Sequence, residues 1–117
     1  MKLQRQNIEG VIVLRVTGEI DFSSTHALLS ELRNVGAEGR RNILVDLSRC
    51  SGLASTAVGI LVGWRCEASL HGREFWLVSP SEEVREILNM VGVYDQLVRP
   101  EETEEAAIEA LRTELTT

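Results

Sequence analysis

Little in this sequence invites reactive chemistry, and each absence narrows the reading. Cysteine occurs twice, at Cys50 and Cys66, and no Cys-x-x-Cys is present. That pattern builds no secreted disulfide framework, and both read as small apolar residues in a reducing compartment. Basic clusters are missing too: the net charge is −6 and nothing exceeds the pair Arg40-Arg41. Nucleic acid is therefore not an expected partner, because neutralising phosphates takes a concentrated basic face. The opening "MKLQRQNIEG" lacks the apolar segment of a signal peptide, and the uncharged run Leu53–Trp64 is too short to cross a bilayer. A cytoplasmic chain with no membrane insertion is expected.

The motifs of catalysis are equally scarce. There is no GxxxxGK[ST], no GxGxxG and no HExxH. His26 and His71 fall far apart on different elements, with no second ligand near either, so no metal and no cofactor is expected. "LASTA" places a serine between small residues, but Leu53 occupies the first glycine position of a nucleophile elbow, and no partner for a distant His71 base is identifiable.

What is present is an ordinary globular composition, 44% hydrophobic and 26% charged in 117 residues, which fits one domain spanning 1–117. "KLQRQ" reads as a weak strand, turned by "NIEG" into the β-branched strand "GVIVLRVTG". Leu28, Leu29, Leu32 and Val35 then recur at helical spacing, with Asp21 or Ser23 as the N-cap and Gly36 as the stop. "NILVDL" suits a strand buried on both faces, and a helix is expected from about Ala54 to Leu70. "REFWLVS" is a further buried strand.

In "SPSEEVREILNMVG", Ser79 is positioned to cap, Pro80 to open the helix and Glu82 to complete a capping box. Val84, Ile87, Leu88 and Val91 make its apolar stripe, and Gly92 ends it. "DQLVR" reads as a last strand, and Ala107, Ile108, Leu111 and Leu115 give the acidic tail one apolar helical face. The expected class is α/β: a mixed, mainly parallel sheet of about five strands, opened by a hairpin, with about four helices. Gly59 and Gly63 would let the second helix approach the sheet closely.

One feature resists a purely structural reading: the hydroxyl pair Ser55-Thr56 where the second helix begins. Ser55 can cap that helix. A hydroxyl there also lies at the sheet's C-terminal edge, where a phosphate would be tolerated by free N–H groups and by the helix dipole. A partner packed over that spot would be expelled by the same phosphate.

"VTGEID", "ILVDLS" followed by the Ser-Thr pair and a glycine-containing apolar helix, and "LVSPSEEVREILNMVGV" together resemble the STAS domain over nearly the whole chain. More narrowly they resemble the bacterial anti-sigma factor antagonists. The resemblance implies a binding protein without enzymatic activity. Its partner would be an anti-sigma factor that is also a serine kinase, using its own ATP and magnesium, and a phosphatase would reset the switch. Carried over by position, the phosphorylated residue falls on Ser55, with Thr56 as the second hydroxyl and Asp21 bordering the partner surface. Ser23, Ser24 and Thr25 are neighbours on the same edge. The family's Asp-Ser-Ser-Gly-Leu stands here as Ala54-Ser55-Thr56-Ala57-Val58. A non-switched STAS subunit of a larger complex, such as one docked on a transporter ATPase, is the alternative. No feature specifies an oligomeric state.

Overall fold

The structure is a computed structural model that describes residues 1–39 and 42–116, with side chains through residue 113. The Arg40-Arg41 pair and the side chain of Leu115 lie outside the described residues. The elements run β1 (Lys2–Ile8), β2 (Val11–Ile20), α1 (Thr25–Ala37), β3 (Asn42–Leu53), α2 (Ser55–Leu70), β4 (Phe75–Val78), α3 (Glu82–Val91), α4 (Tyr94–Leu97) and α5 (Glu104–Thr116).

The described strands form one sheet in the order β1-β2-β3-β4. The first pair is antiparallel; β2 with β3 and β3 with β4 are parallel. Glu9 and Gly10, with φ of 51° and 86°, make the tight hairpin turn, and the Asn7 side chain accepts from the Gly10 N–H at 3.1 Å. Side-chain alternation along the strands divides the core in two. Ile12, Leu14, Val16, Val45, Leu47, Phe75 and Leu77 face α1, α2 and α3. Val11, Val13, Leu44 and Val78 face the opposite way, against Ala107, Ile108 and Leu111 of α5. The acidic tail helix is thus a packed layer. Arg15 on β2 fixes its start, donating from Nε and Nη2 to the two carboxylate oxygens of Glu104 at 2.8 Å each.

The fifth expected strand is not a strand. "DQLVR" supplies the short α4 and then a single parallel bridge, Leu77 to Val98, with the Arg99 N–H donating to the Leu77 carbonyl at 2.9 Å. Pro100, which has no N–H, follows at once, so a ladder cannot extend. The described elements are four strands and five helices rather than about five and four. At α3 the cap is Ser81, not Ser79: the Ser81 hydroxyl accepts from the Val84 N–H at 3.2 Å and donates to the Cys50 carbonyl at 2.6 Å. Pro80 precedes the helix instead of opening it, and Glu82 is its first residue, so no capping box forms. Ser79 sits at φ 50° and donates to the Glu102 carbonyl at 2.7 Å. Helix α1 runs through the expected stop at Gly36 to Ala37.

Candidate functional site

The ends of two neighbouring parallel strands bring the sequence's candidates together. Ile20 pairs with Leu53 at the last register position, and the Ala54 N–H donates to the Ile20 carbonyl at 2.8 Å. The turn after β2, carrying Asp21, Ser23 and Ser24, therefore sits beside the β3–α2 junction carrying Ser55 and Thr56.

Within that turn, the Asp21 carboxylate collects three donors. They are the Ser24 N–H at 2.8 Å, the Ser23 hydroxyl at 2.8 Å and the Ser24 hydroxyl at 2.9 Å. These bonds, the Ser24 backbone N–H first, push the Asp21 pKa down to about 2. Asp21 is a fixed, exposed negative charge at neutral pH. Neither it nor Ser23 is the boundary residue of α1. Ser24 holds that position without capping the helix, because its hydroxyl is engaged with Asp21.

At α2 the expected cap is overturned. Ala54 is the boundary residue, extended at φ −69° and ψ 152°, and no side chain caps the helix. Ser55 comes one residue too late to cap and lies exposed as the first helical residue. Its hydroxyl has no hydrogen-bond partner among the described residues. Thr56 differs. Its Oγ1 lies 3.3 Å from the Thr25 Oγ1, and the Thr25 proton is committed to the Asp21 carbonyl at 2.8 Å. Thr56 must therefore donate to Thr25, which leaves Ser55 as the uncommitted hydroxyl of the pair.

The glycines of α2 also face away from their expected position. Ala57, Val58, Leu61 and Ala68 are the buried residues of this helix, whereas Gly59 and Gly63 are exposed and a Cβ on either would meet nothing within 4 Å. Each costs roughly 1 kcal/mol of helix propensity with no return in sheet packing. What they leave is open space along the α1–α2 seam. A hollow of about 350 Å³ is lined by Phe22, Thr25, His26, Leu29, Thr56, Gly59 and Ile60. A second, of about 320 Å³, is lined by Leu29, Arg33, Ile60, Gly63, Trp64 and Glu67.

One contributor escaped the sequence reading: Phe22 is 74% exposed beside Asp21. Thr25, expected on this edge, anchors Thr56. Phe22 did carry a signal, as an aromatic residue inside a polar turn and outside the stripe of the helix that follows.

A cleft of about 610 Å³ includes Ser79, Arg85, Tyr94, Arg99 and Glu101. There Arg85 donates to the Tyr94 hydroxyl at 2.9 Å, and Arg99 pairs with Glu101. Among the described residues no three His, Cys, Asp or Glu side chains gather as a metal site. Both cysteines are free: Cys50 is buried, its thiol pushed up by that burial, whereas Cys66 is exposed rather than a core residue. Among the described residues no helix is long and apolar enough to cross a membrane.

A family model of the STAS domain matches residues 2–107. The chain belongs to the STAS domain family. The anti-sigma-B factor antagonist of Staphylococcus aureus (strain NCTC 8325) is 26% identical over 91 residues, 78% of this STAS chain and 84% of that protein. A Thermotoga neapolitana protein, named as a homolog of TM1081, is 28% identical over 109 residues, 90% of this chain and 93% of its own. Among solved structures, the unphosphorylated anti-sigma factor antagonist SpoIIAA superposes with a TM-score of 0.82 at 24% identity, covering 96% of this chain and 97% of that one. The phosphorylated form of the Bacillus SpoIIAA gives 0.72 at 22% identity, covering 94% and 99%. At those identities the structures speak for the fold: a mixed sheet with an antiparallel start, here closed by five helices.

Proposed function

We propose that this chain is an anti-sigma factor antagonist, a single cytoplasmic STAS domain that acts by binding and has no catalytic activity of its own. Its partner is an anti-sigma factor that is also a serine kinase. The unphosphorylated chain binds that partner over the Asp21, Ser23, Ser24, Ser55 and Thr56 surface. Transfer of phosphate to Ser55 releases it, and a phosphatase restores it.

The observation that carries this reading is the Ser55 hydroxyl, exposed and uncommitted at the first residue of α2 beside the fixed charge of Asp21. A phosphate added there meets the free N–H groups of the helix's first turn, so the fold accommodates it. A partner seated on the same spot would have to desolvate about two negative charges next to Asp21. The switch acts on binding and leaves folding intact. Replacement of the family's aspartate by Ala54 favours the alternative, a constitutive STAS subunit of a larger complex, since a constant contact needs no carboxylate next to an acceptor.

Incubation with the purified anti-sigma factor kinase of the same organism, ATP and magnesium separates the two readings. The wild type is expected to gain phosphate at Ser55 and to lose affinity by about 100-fold, near 2.7 kcal/mol. Ser55→Ala is expected to bind without becoming labelled. Labelling that persists in Ser55→Ala moves the acceptor to Thr56, and binding indifferent to the phosphate establishes the constitutive role.

A further inference from the structure

We propose that Asp46, Glu104 and Arg15 form a proton-operated latch on helix α5, closed when the two carboxyls share one proton and loosened when that proton leaves. The cluster lies on the face of the sheet opposite α1, α2 and α3, so it is independent of the partner-switching reading. Arg15 and Asp46 are register partners on the neighbouring strands β2 and β3, which places both side chains on the α5 face. Arg15 donates to both carboxylate oxygens of Glu104 and, from Nη1, to the Gln6 amide oxygen at 2.6 Å. The Asp46 and Glu104 carboxyls stand within hydrogen-bonding reach of each other. Two carboxyls thus converge on one guanidinium, around a hollow of about 340 Å³. Both cannot be ionised there without mutual repulsion.

The surroundings decide which carboxyl takes the proton. The Glu104 side chain is only 11% exposed, receives the Arg15 fork and opens α5, where the helix N-terminus favours an anion. The Arg15 bonds hold its carboxyl below the usual 4.5. Asp46 accepts from the Ser48 N–H at 2.9 Å, but burial and the Glu104 carboxyl push it above the usual 3.8. The other charged groups facing the pair are Arg15 of β2, Arg49 of β3 at the rim and Glu105 of α5. Strand β1 contributes the neutral Gln4 and Gln6, and β4 carries no charge.

Below the raised Asp46 value the docked chain holds a proton that the unfolded chain does not, so docking is favoured, and this gain is lost as pH rises through that value. The Glu104 contribution has the opposite sign: it is complete above about pH 4.5 and is lost as pH falls through the lowered value. The latch closes best between the two. Helix α5 responds because little else holds it. Ala107, Ile108 and Leu111 are its buried residues, and its Arg112–Glu9 ion pair is solvent-exposed and therefore weak. Its release would bare Val11, Val13, Leu44 and Val78.

Amide hydrogen exchange on the full chain, corrected for the intrinsic pH dependence of exchange, tests the latch. Protection of the α5 amides is expected to fall about threefold or more between about pH 5 and about pH 8, with the β2 and β3 amides changing less. Asp46→Asn keeps an N–H donor facing Glu104 at every pH. Its α5 protection is therefore expected to hold the wild-type level of about pH 5 and to stay nearly flat up to about pH 8. A carboxyl-carbon NMR titration should show the pair losing its protons in two steps, with the upper step absent from Asp46→Asn. Wild-type α5 protection that ignores pH overturns the latch. A pH dependence that survives in Asp46→Asn overturns it too, since another group is then responsible. So does a fall shared equally by β2 and β3, which is global unfolding rather than release of α5.

Discussion

Helices α2 and α3 both begin just past the end of a parallel strand, each with a serine at its start, Ser55 as the first residue of α2 and Ser81 as the boundary residue before α3, and the two serines are treated in opposite ways. Ser81 is half-buried and fully engaged: its hydroxyl caps α3 through the Val84 N–H and ties the helix to β3 through the Cys50 carbonyl. Its own N–H donates to the Leu47 carbonyl at 3.1 Å. Ser55 is exposed, one residue inside its helix, and its hydroxyl has no partner among the described residues. A serine that holds the fold together cannot readily be modified, and one that can be modified contributes little to the fold. The difference is one of register relative to the helix start, since a serine at the boundary caps and one at the next residue points out.

The sharpest way to break this comparison is to remove each hydroxyl. Ser81→Ala is expected to lose about 2 kcal/mol, from the lost cap and the lost bond to β3 together. Ser55→Ala should stay within about 0.5 kcal/mol of the wild type. Urea unfolding with unchanged slope reads both values, and a Ser55→Ala loss as large as that of Ser81→Ala would make Ser55 structural.

Next in size is repair of the missing cap. Ala54 holds the extended boundary conformation from which an aspartate accepts bonds from the first free N–H groups of α2. Ala54→Asp should therefore stabilise the chain by about 1 kcal/mol in the same unfolding experiment. It restores the family's aspartate, so the gain would give that residue a role in the fold apart from any contact with the kinase. The neighbouring departure, Ala57 for glycine, has a different outcome: the Ala57 methyl is completely buried in the core and adds nothing to the partner surface.

How far the sequence could carry these distinctions depended on periodicity. Helix α3 has one clear stripe, and Val84 and Leu88 are buried as that stripe requires. Its start was misread by two residues, because "SPS" offers two serines and the preference for proline at the first helical position points to the wrong one. In α2 small or apolar residues run round most of the helix, so no stripe told which side met the sheet, and Gly59 and Gly63 were assigned to the wrong face. That Asp21 and Ser55 share one edge was implied by the resemblance to the anti-sigma factor antagonists. The Thr25–Thr56 contact needed the register of β2 against β3, which one-dimensional spacing does not carry.

The smallest effect concerns charge, and it separates Asp21 from an ordinary surface carboxylate. Its folded pKa lies at about 2, below the usual 3.8, so the unfolded chain binds more protons in between. The contribution to stability is complete above about pH 4 and is lost as pH falls through about 2. A carboxyl-carbon NMR titration should find the wild-type midpoint near the lower value. Ser23→Ala and Ser24→Ala should each raise it part of the way. Even the double variant should stay below 3.8, because the Ser24 backbone N–H, the strongest of the donors, remains. A wild-type midpoint at the ordinary value would mean that the serines do not hold the carboxylate. Asp21 would then be a mobile surface charge rather than a fixed anion beside Ser55.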